Sequence, residues 1–202
     1  MHVPGRRPAL VAATLLAACA AFAADGAVTR QQADLFRKKV VAIVAFGAQP
    51  RNRQPRRTTV TEDEVNAYLR YGAAGELPAG VVDPTVTILG GGRLAGRAVV
   101  DLDAVRKQQN PTSVLDPAMY LSGRLPITAT GVLKTTAGVG RFQLEAATIG
   151  GVSIPKFLLQ QILSYYSRSA DQPAGINMDD PFALPAGIRE IQVERGQAII
   201  VQ

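Results

Sequence analysis

The sequence predicts an α+β fold built on an antiparallel sheet, and three observations predict it. Long β-branched runs punctuated by glycine fill the middle of the chain, and a few stretches of helical periodicity flank them. Strands and helices do not alternate, which excludes a doubly wound parallel sheet.

The first helix is predicted over Thr29 to Phe46. Thr29 followed by Gln32 is a capping pattern, and Leu35, Phe36, Val40, Ile43 and Val44 recur at helical spacing. The next stretch, GAQPRNRQPRRTTV, carries two prolines and four arginines without apolar periodicity, so it reads as an exposed basic loop. Thr61 and Glu64 then form a capping box that Val60 and Val65 can staple, and Val65, Tyr68 and Leu69 share a face before Gly72 stops the helix.

From Val81 the texture changes. VVDPTVTIL, the Gly90-Gly91-Gly92 turn and RLAGRAVVDLD read as a hairpin. After a loop through Pro111 and Pro117, YLSGRLPITATGVLKTT and VGRFQLEAATIGGVSI give two more strand signals that turn near Gly138. Phe142, Leu144 and Ala146 alternate with Gln143 and Glu145, the pattern of a strand with one wet face. Pro155 suits a first helical turn, and Phe157, Leu158, Ile162, Tyr165 and Tyr166 follow at helical spacing. The polar, proline-bearing stretch from Ser169 to Gly187 has the length of a lid or connection, and IREIQV with AIIVQ closes the chain as a hairpin.

The opening residues point to export. Arg6 and Arg7 precede an apolar run from Pro8 to Ala18, and Ala21-Phe22-Ala23 is a small-x-small cleavage site. The apolar run is shorter than the roughly 20 residues a membrane span needs. Leu16-Ala17-Ala18-Cys19 also has the form of a lipobox, so two readings stay open: a signal of residues 1–24, or one ending at 18 with lipidated Cys19 as the new terminus. Residues 25–57 then hold the N-terminal helix and basic loop, and residues 58–202 the α+β domain. Either way the expected location is the periplasm or cell envelope.

Removing residues 1–24 leaves a net charge of +4, consistent with an anionic membrane surface as a partner; nucleic acid is not expected. The one histidine, His2, and the one cysteine, Cys19, both lie near the start. Beyond Cys19 the chain therefore has neither a Ser-His-Asp or Cys-His pair nor a His or Cys zinc site, and no disulfide. No cofactor or metal is expected, and activity should be indifferent to chelators and thiol reagents.

Several weaker candidates remain. Ser153-Ile154-Pro155-Lys156 matches S-x-x-K, but the companion motifs are missing, and Ser153 reads as a strand end with Lys156 a solvated residue. Asp101 and Asp103 alternate along a strand and could form a carboxylate pair or simply its wet end. Asp179-Asp180 fits a turn before Pro181. The glycines from Gly90 fail as a phosphate loop because Ala95 stands where the last glycine belongs. Arg51, Arg53, Arg56 and Arg57 could attract lipid headgroups or only solvate a loop.

Three passages resemble the tubular lipid-binding superfamily and its small periplasmic and lipoprotein members. They are VTEDEVNAYL from Val60, IGGVSIPKFLL from Ile149 and PFALP from Pro181, and the resemblance spans residues 58 to 202. It implies a strongly bent sheet wrapped around helices, with acyl chains held in the groove between them. On that basis the chain is expected to bind or carry a lipid or other apolar small molecule without chemistry. Contacts are expected from Phe142, Leu144, Phe157, Leu158, Ile162, Tyr166, Phe182 and Leu184. A structural or adaptor module with a closed core is the alternative, and a carboxylate-dependent hydrolase using Asp101 and Asp103 is a third reading.

Overall fold

The computed structural model describes residues 27–49, 54–78, 80–104, 123–168 and 172–202. The fold is α+β, with two antiparallel sheets. Helix α1 (Arg30–Gly47) and helix α2 (Glu62–Tyr71) each begin at a reciprocal capping box, Thr29 with Gln32 and Thr61 with Glu64, so the first turn's free N–H groups are met locally. Three acidic residues, Glu62, Asp63 and Glu64, sit in the first turn of α2, where the helix dipole favours negative charge. Gly72 caps its other end.

The smaller sheet has the order β1-β9-β8, with β1 Arg57–Thr61, β8 Glu190–Glu194 and β9 Gln197–Val201. The larger sheet runs β2 (Val81–Gly90), β3 (Arg93–Asp101), β4 (Arg124–Thr136), β5 (Val139–Ile149) and β6 (Val152–Ser153), with β7 (Phe182–Ala183) also on β5. Its hairpins turn where left-handed backbone is required. Ala137 and Gly138 have φ of 50° and 84°, and Gly150 and Gly151 have 61° and 82°, the geometry of two-residue hairpin turns. Helix α3 (Lys156–Tyr166) follows β6, with Pro155 as its N-cap rather than inside the first turn.

Side chains of α2 close the outer edge of β2. Asn66 exchanges two 2.8 Å hydrogen bonds with the Val86 backbone, and the Ile88 N–H donates to Glu62 at 2.6 Å. The Gly196 N–H donates to the Ile88 carbonyl, so the β8–β9 turn covers the Gly90 end of that edge and ties the sheets together. From Val86 to Gly90 this edge offers no free ladder to another chain.

The core is small and lies at this junction. Ala33, Ile43, Val60, Ala67, Ala73, Ile88, Ile188 and Val193 are buried there, and no large side chain among the described residues is fully enclosed. Lys39 of α1 spans to α2, donating to both Glu64 oxygens at 2.6 and 2.7 Å and to the Thr59 carbonyl. Phe36 packs on Tyr68 with ring centroids 5.0 Å apart.

Two expectations are corrected here. Arg57–Thr61 is a strand, not the end of an exposed loop: its β-branched threonines and Val60 pair with β9, a partner far away in sequence. The apolar stripe of α1 is only partly covered, since Ile43 is buried whereas Leu35, Val40 and Val44 are exposed.

Candidate apolar binding face

Directly opposed residues of antiparallel strands share a face, so the register of the larger sheet defines its two surfaces. The pairing carries Val86 and Ile88 of β2 onto the face of Leu94, Gly96, Ala98 and Val100 of β3. These oppose Leu125, Ile127, Ala129 and Gly131 of β4, and Leu133 follows on the same side. Ile127, Ala129, Gly131 and Leu133 in turn oppose Ile149, Ala147, Leu144 and Phe142 of β5. The register slips once, so that Glu145 bulges and Ala147, not Ala146, shares the side of Leu144.

One face of the sheet is thus apolar from β2 to β5, and its middle is built of small residues. Gly96, Ala98, Ala129, Gly131 and Ala147 form a shallow band flanked by Val86, Leu94, Ile127, Leu133, Phe142 and Leu144. A Cβ added at Gly96 would meet no atom of the described residues within 4 Å. Most of the face is only half-buried; Ile88, Gly131 and Ala147 are its buried members along these rows.

At the β4–β5 turn the smaller sheet crosses this face. Thr135 accepts from the Ile191 N–H and donates to the Ile191 carbonyl, at 2.8 and 3.1 Å, which pins β8 there. The Phe142 ring lies over Gly131, where a Cβ would come within 2.5 Å of it, and Phe182 and Leu184 lie over Gly140 in the same manner.

Four expected contact residues, Phe142, Leu144, Phe182 and Leu184, therefore gather at β5 on or beside this face. Phe157 and Leu158 are 67% and 38% exposed at the start of α3, and Ile162 is half-buried further along it. The side chain of Tyr166 lies outside the described residues. Helix α3 is held to the following segment by Gln160 and Ser164, which donate to the Ile176 carbonyl, and by Gln160 accepting from the Met178 N–H.

The expected contacts, drawn from the Phe142 strand, α3 and the Phe182 to Leu184 segment, leave out the β2, β3 and β4 parts of the face. Its signal is in the sequence, as alternation in TVTIL and RLAGRAVV, but alternation alone does not say which strands adjoin.

The polar candidates have structural partners. Asp101 ends β3 and the chain enters a helical turn at 102–104, so Asp101 and Asp103 do not alternate along one strand. Asp101 accepts from the Ala104 N–H and from Arg124, and these bonds hold its carboxyl below the usual carboxylate range. Asp103 accepts from the Gly123 N–H. Ser153 is exposed in β6, while Lys156 pairs with Asp179 and Asp180 accepts from Asn177. Arg56 lies over the Phe46 ring and bonds the Ala42 carbonyl, and Arg57 reaches Gln192. Arg51, Arg53 and Cys19 lie outside the described residues.

Three surface cavities are lined by none of the glycine and alanine band. One of about 1020 Å³ lies between α2 and the first half of β2 and is lined by Asn66, Leu69, Leu77 and Val82 among others. One of about 740 Å³ adjoins Thr61, Leu89 and Arg195, and one of about 430 Å³ adjoins Pro55, Thr135 and Arg189. None of the seven expected contact residues whose side chains are described lines them.

The fold and this face define an α+β chain whose larger sheet is apolar on one side and mixed charged, polar and apolar on the other. No protein-family model matches the sequence, and comparison with curated proteins gives no match. Among solved structures, the crystal structure of a lipopolysaccharide binding protein is similar at 17% identity and a TM-score of 0.23. The match covers 72% of this chain and 40% of that one, and at such a TM-score it transfers neither fold nor function.

Proposed function

We propose that the chain binds a lipid or another apolar small molecule on the apolar face of its larger sheet, and carries or presents it without chemistry. The observation that carries this reading is the band of glycine and alanine across the middle of a face that stays half-open. A sheet surface meant to close on its own helices is normally filled by large interlocking side chains. Here the large side chains rim the band instead, and at Gly96 no described atom stands where a side chain would be. Each methylene laid there is worth about 0.8 kcal/mol, so a long acyl chain can be held by burial alone.

The absence of catalysis belongs to the same proposal. Asp101, Asp179 and Asp180 are engaged in capping, pairing and turn bonds, and none lies on the apolar face. Export to the cell envelope rests on the opening residues, Arg6 to Ala23. Native mass spectrometry of the purified protein tests the binding: adducts with lipid masses, released by organic extraction, are expected. A protein that is adduct-free as purified and stays so after incubation with fatty acids and phospholipids would refute it.

A further inference from the structure

The opposite face of the larger sheet carries a charge pattern that the apolar-ligand reading leaves unused. The same register places Arg93 and Arg97 of β3, Arg124 and Lys134 of β4 and Arg141 of β5 on it, with Asp101 and Glu145 as the facing carboxylates on β3 to β5. Both carboxylates are already engaged, Glu145 by Arg93 at 2.7 Å and Asp101 by Arg124 at 3.2 Å. Arg97, Lys134 and Arg141 are exposed and have no acidic partner among the described residues.

Lys134 and Arg141 are also directly opposite each other across the β4–β5 ladder. Like charges at that position destabilise a sheet unless an anion lies between or over them. An acidic residue at either position would give a favourable cross-strand pair, so the sequence holds two cations where the fold by itself would gain from one of each sign. Asp83 is at the other end of the sheet, in the bulge of β2, and does not reach them.

We propose that this face docks on an anionic lipid bilayer, with Lys134, Arg141 and Arg97 meeting headgroup phosphates. An array spread over three strands suits a surface of many anions, and none of the three cavities described above is lined by Arg97, Lys134 or Arg141. Among the described residues the face carries no aromatic side chain on which a nucleic-acid base could stack, so a bilayer fits it better than single-stranded nucleic acid. The inference stands independently of the apolar-ligand reading, because it concerns the other side of the sheet. If both hold, the protein would lie on the membrane with its apolar face turned away from it.

The test is cosedimentation of the purified protein with vesicles of phosphatidylcholine alone or with a third phosphatidylglycerol, at low and high salt. Binding to the anionic vesicles, weakened by salt and absent on neutral ones, is expected. Arg141→Glu changes the charge by two units while creating a cross-strand pair with Lys134. It is expected to lower binding about 25-fold, each basic group near such a surface being worth roughly a factor of 5. Its melting temperature should hold or rise, and Lys134→Gln should lower binding about 5-fold. Equal binding to neutral and anionic vesicles would overturn the inference, and so would an Arg141→Glu protein that folds and binds as the parent does. Tighter binding to single-stranded DNA than to vesicles would assign the face to a different polyanion and equally overturn it. Adsorption through the apolar face would depend on acyl content and not on Arg141, which separates the two surfaces.

Discussion

Replacing Gly96 by leucine separates an open binding face from a closed core more sharply than any change on α3. Gly96 lies mid-sheet between Val86 and Ala129, and a Cβ there would meet no described atom within 4 Å. Gly96 carries no left-handed backbone, so a side chain is conformationally admissible. A glycine inside a strand costs roughly 0.5–1 kcal/mol relative to alanine, so Gly96→Leu should stabilise the fold by about that much. For a chain of this size the gain amounts to about 1–4 °C in melting temperature. The new side chain would occupy the space of about four methylenes of a bound chain, removing roughly 3 kcal/mol of binding at 0.8 kcal/mol each. That is on the order of a 100-fold rise in Kd for a fluorescent fatty acid. If the face is instead a filled core, the leucine overpacks it and costs roughly 1–3 kcal/mol of stability. A melting temperature lowered by several degrees with binding unchanged would refute the reasoning.

Three further outcomes follow from particular contacts. Lys39→Ala leaves Glu64, only 7% exposed, without its cation; because Lys39 itself keeps some solvent, the loss should be about 1–3 kcal/mol, read by urea denaturation, and partly recovered by adding Glu64→Gln. Gly131→Ala drives a methyl to within 2.5 Å of both the Phe142 ring and the Gln143 carbonyl, and since backbone cannot yield as a ring can, a loss of about 1–3 kcal/mol is expected in the same assay. Asp101 has a lowered folded pKa, so its contribution is present above the unfolded value of about 3.9 and is lost as pH falls through the folded one. The melting-temperature gap between the parent and Asp101→Asn should therefore be constant from neutrality to about pH 5 and close in stronger acid; a gap that widens in acid would contradict the assignment.

Local chemistry was legible in the sequence, and long-range pairing was not. Both capping boxes, at Thr29 and Thr61, are complete within four residues, and both helices start where those residues place them. The glycine turns after Leu89 and at Gly138 likewise mark their own hairpins. Strand β1 was hidden because Arg56 and Arg57 follow a proline and its partner, β9, is more than a hundred residues away. The bulge at Glu145 was equally silent: strict alternation would have placed Ala146 beside Leu144, and one extra residue puts Ala147 there. Phe142 and Leu144 were identifiable by their polar neighbours. The glycine and alanine band was not, because small residues carry little hydrophobic signal and form a surface only once four strands are in register.

The most direct test is where a bound chain sits. A fatty acid bearing a diazirine, photolysed on the protein and mapped by peptide mass spectrometry, reports its neighbours without depending on how stability changes. Adducts are expected on peptides containing Ala98, Ala129, Leu133 and Leu144, suppressed by excess unlabelled fatty acid and by Gly96→Leu. Labelling confined to the cavity between α2 and β2, around Leu69, Leu77 and Val82, would contradict the claim that the sheet face is the site.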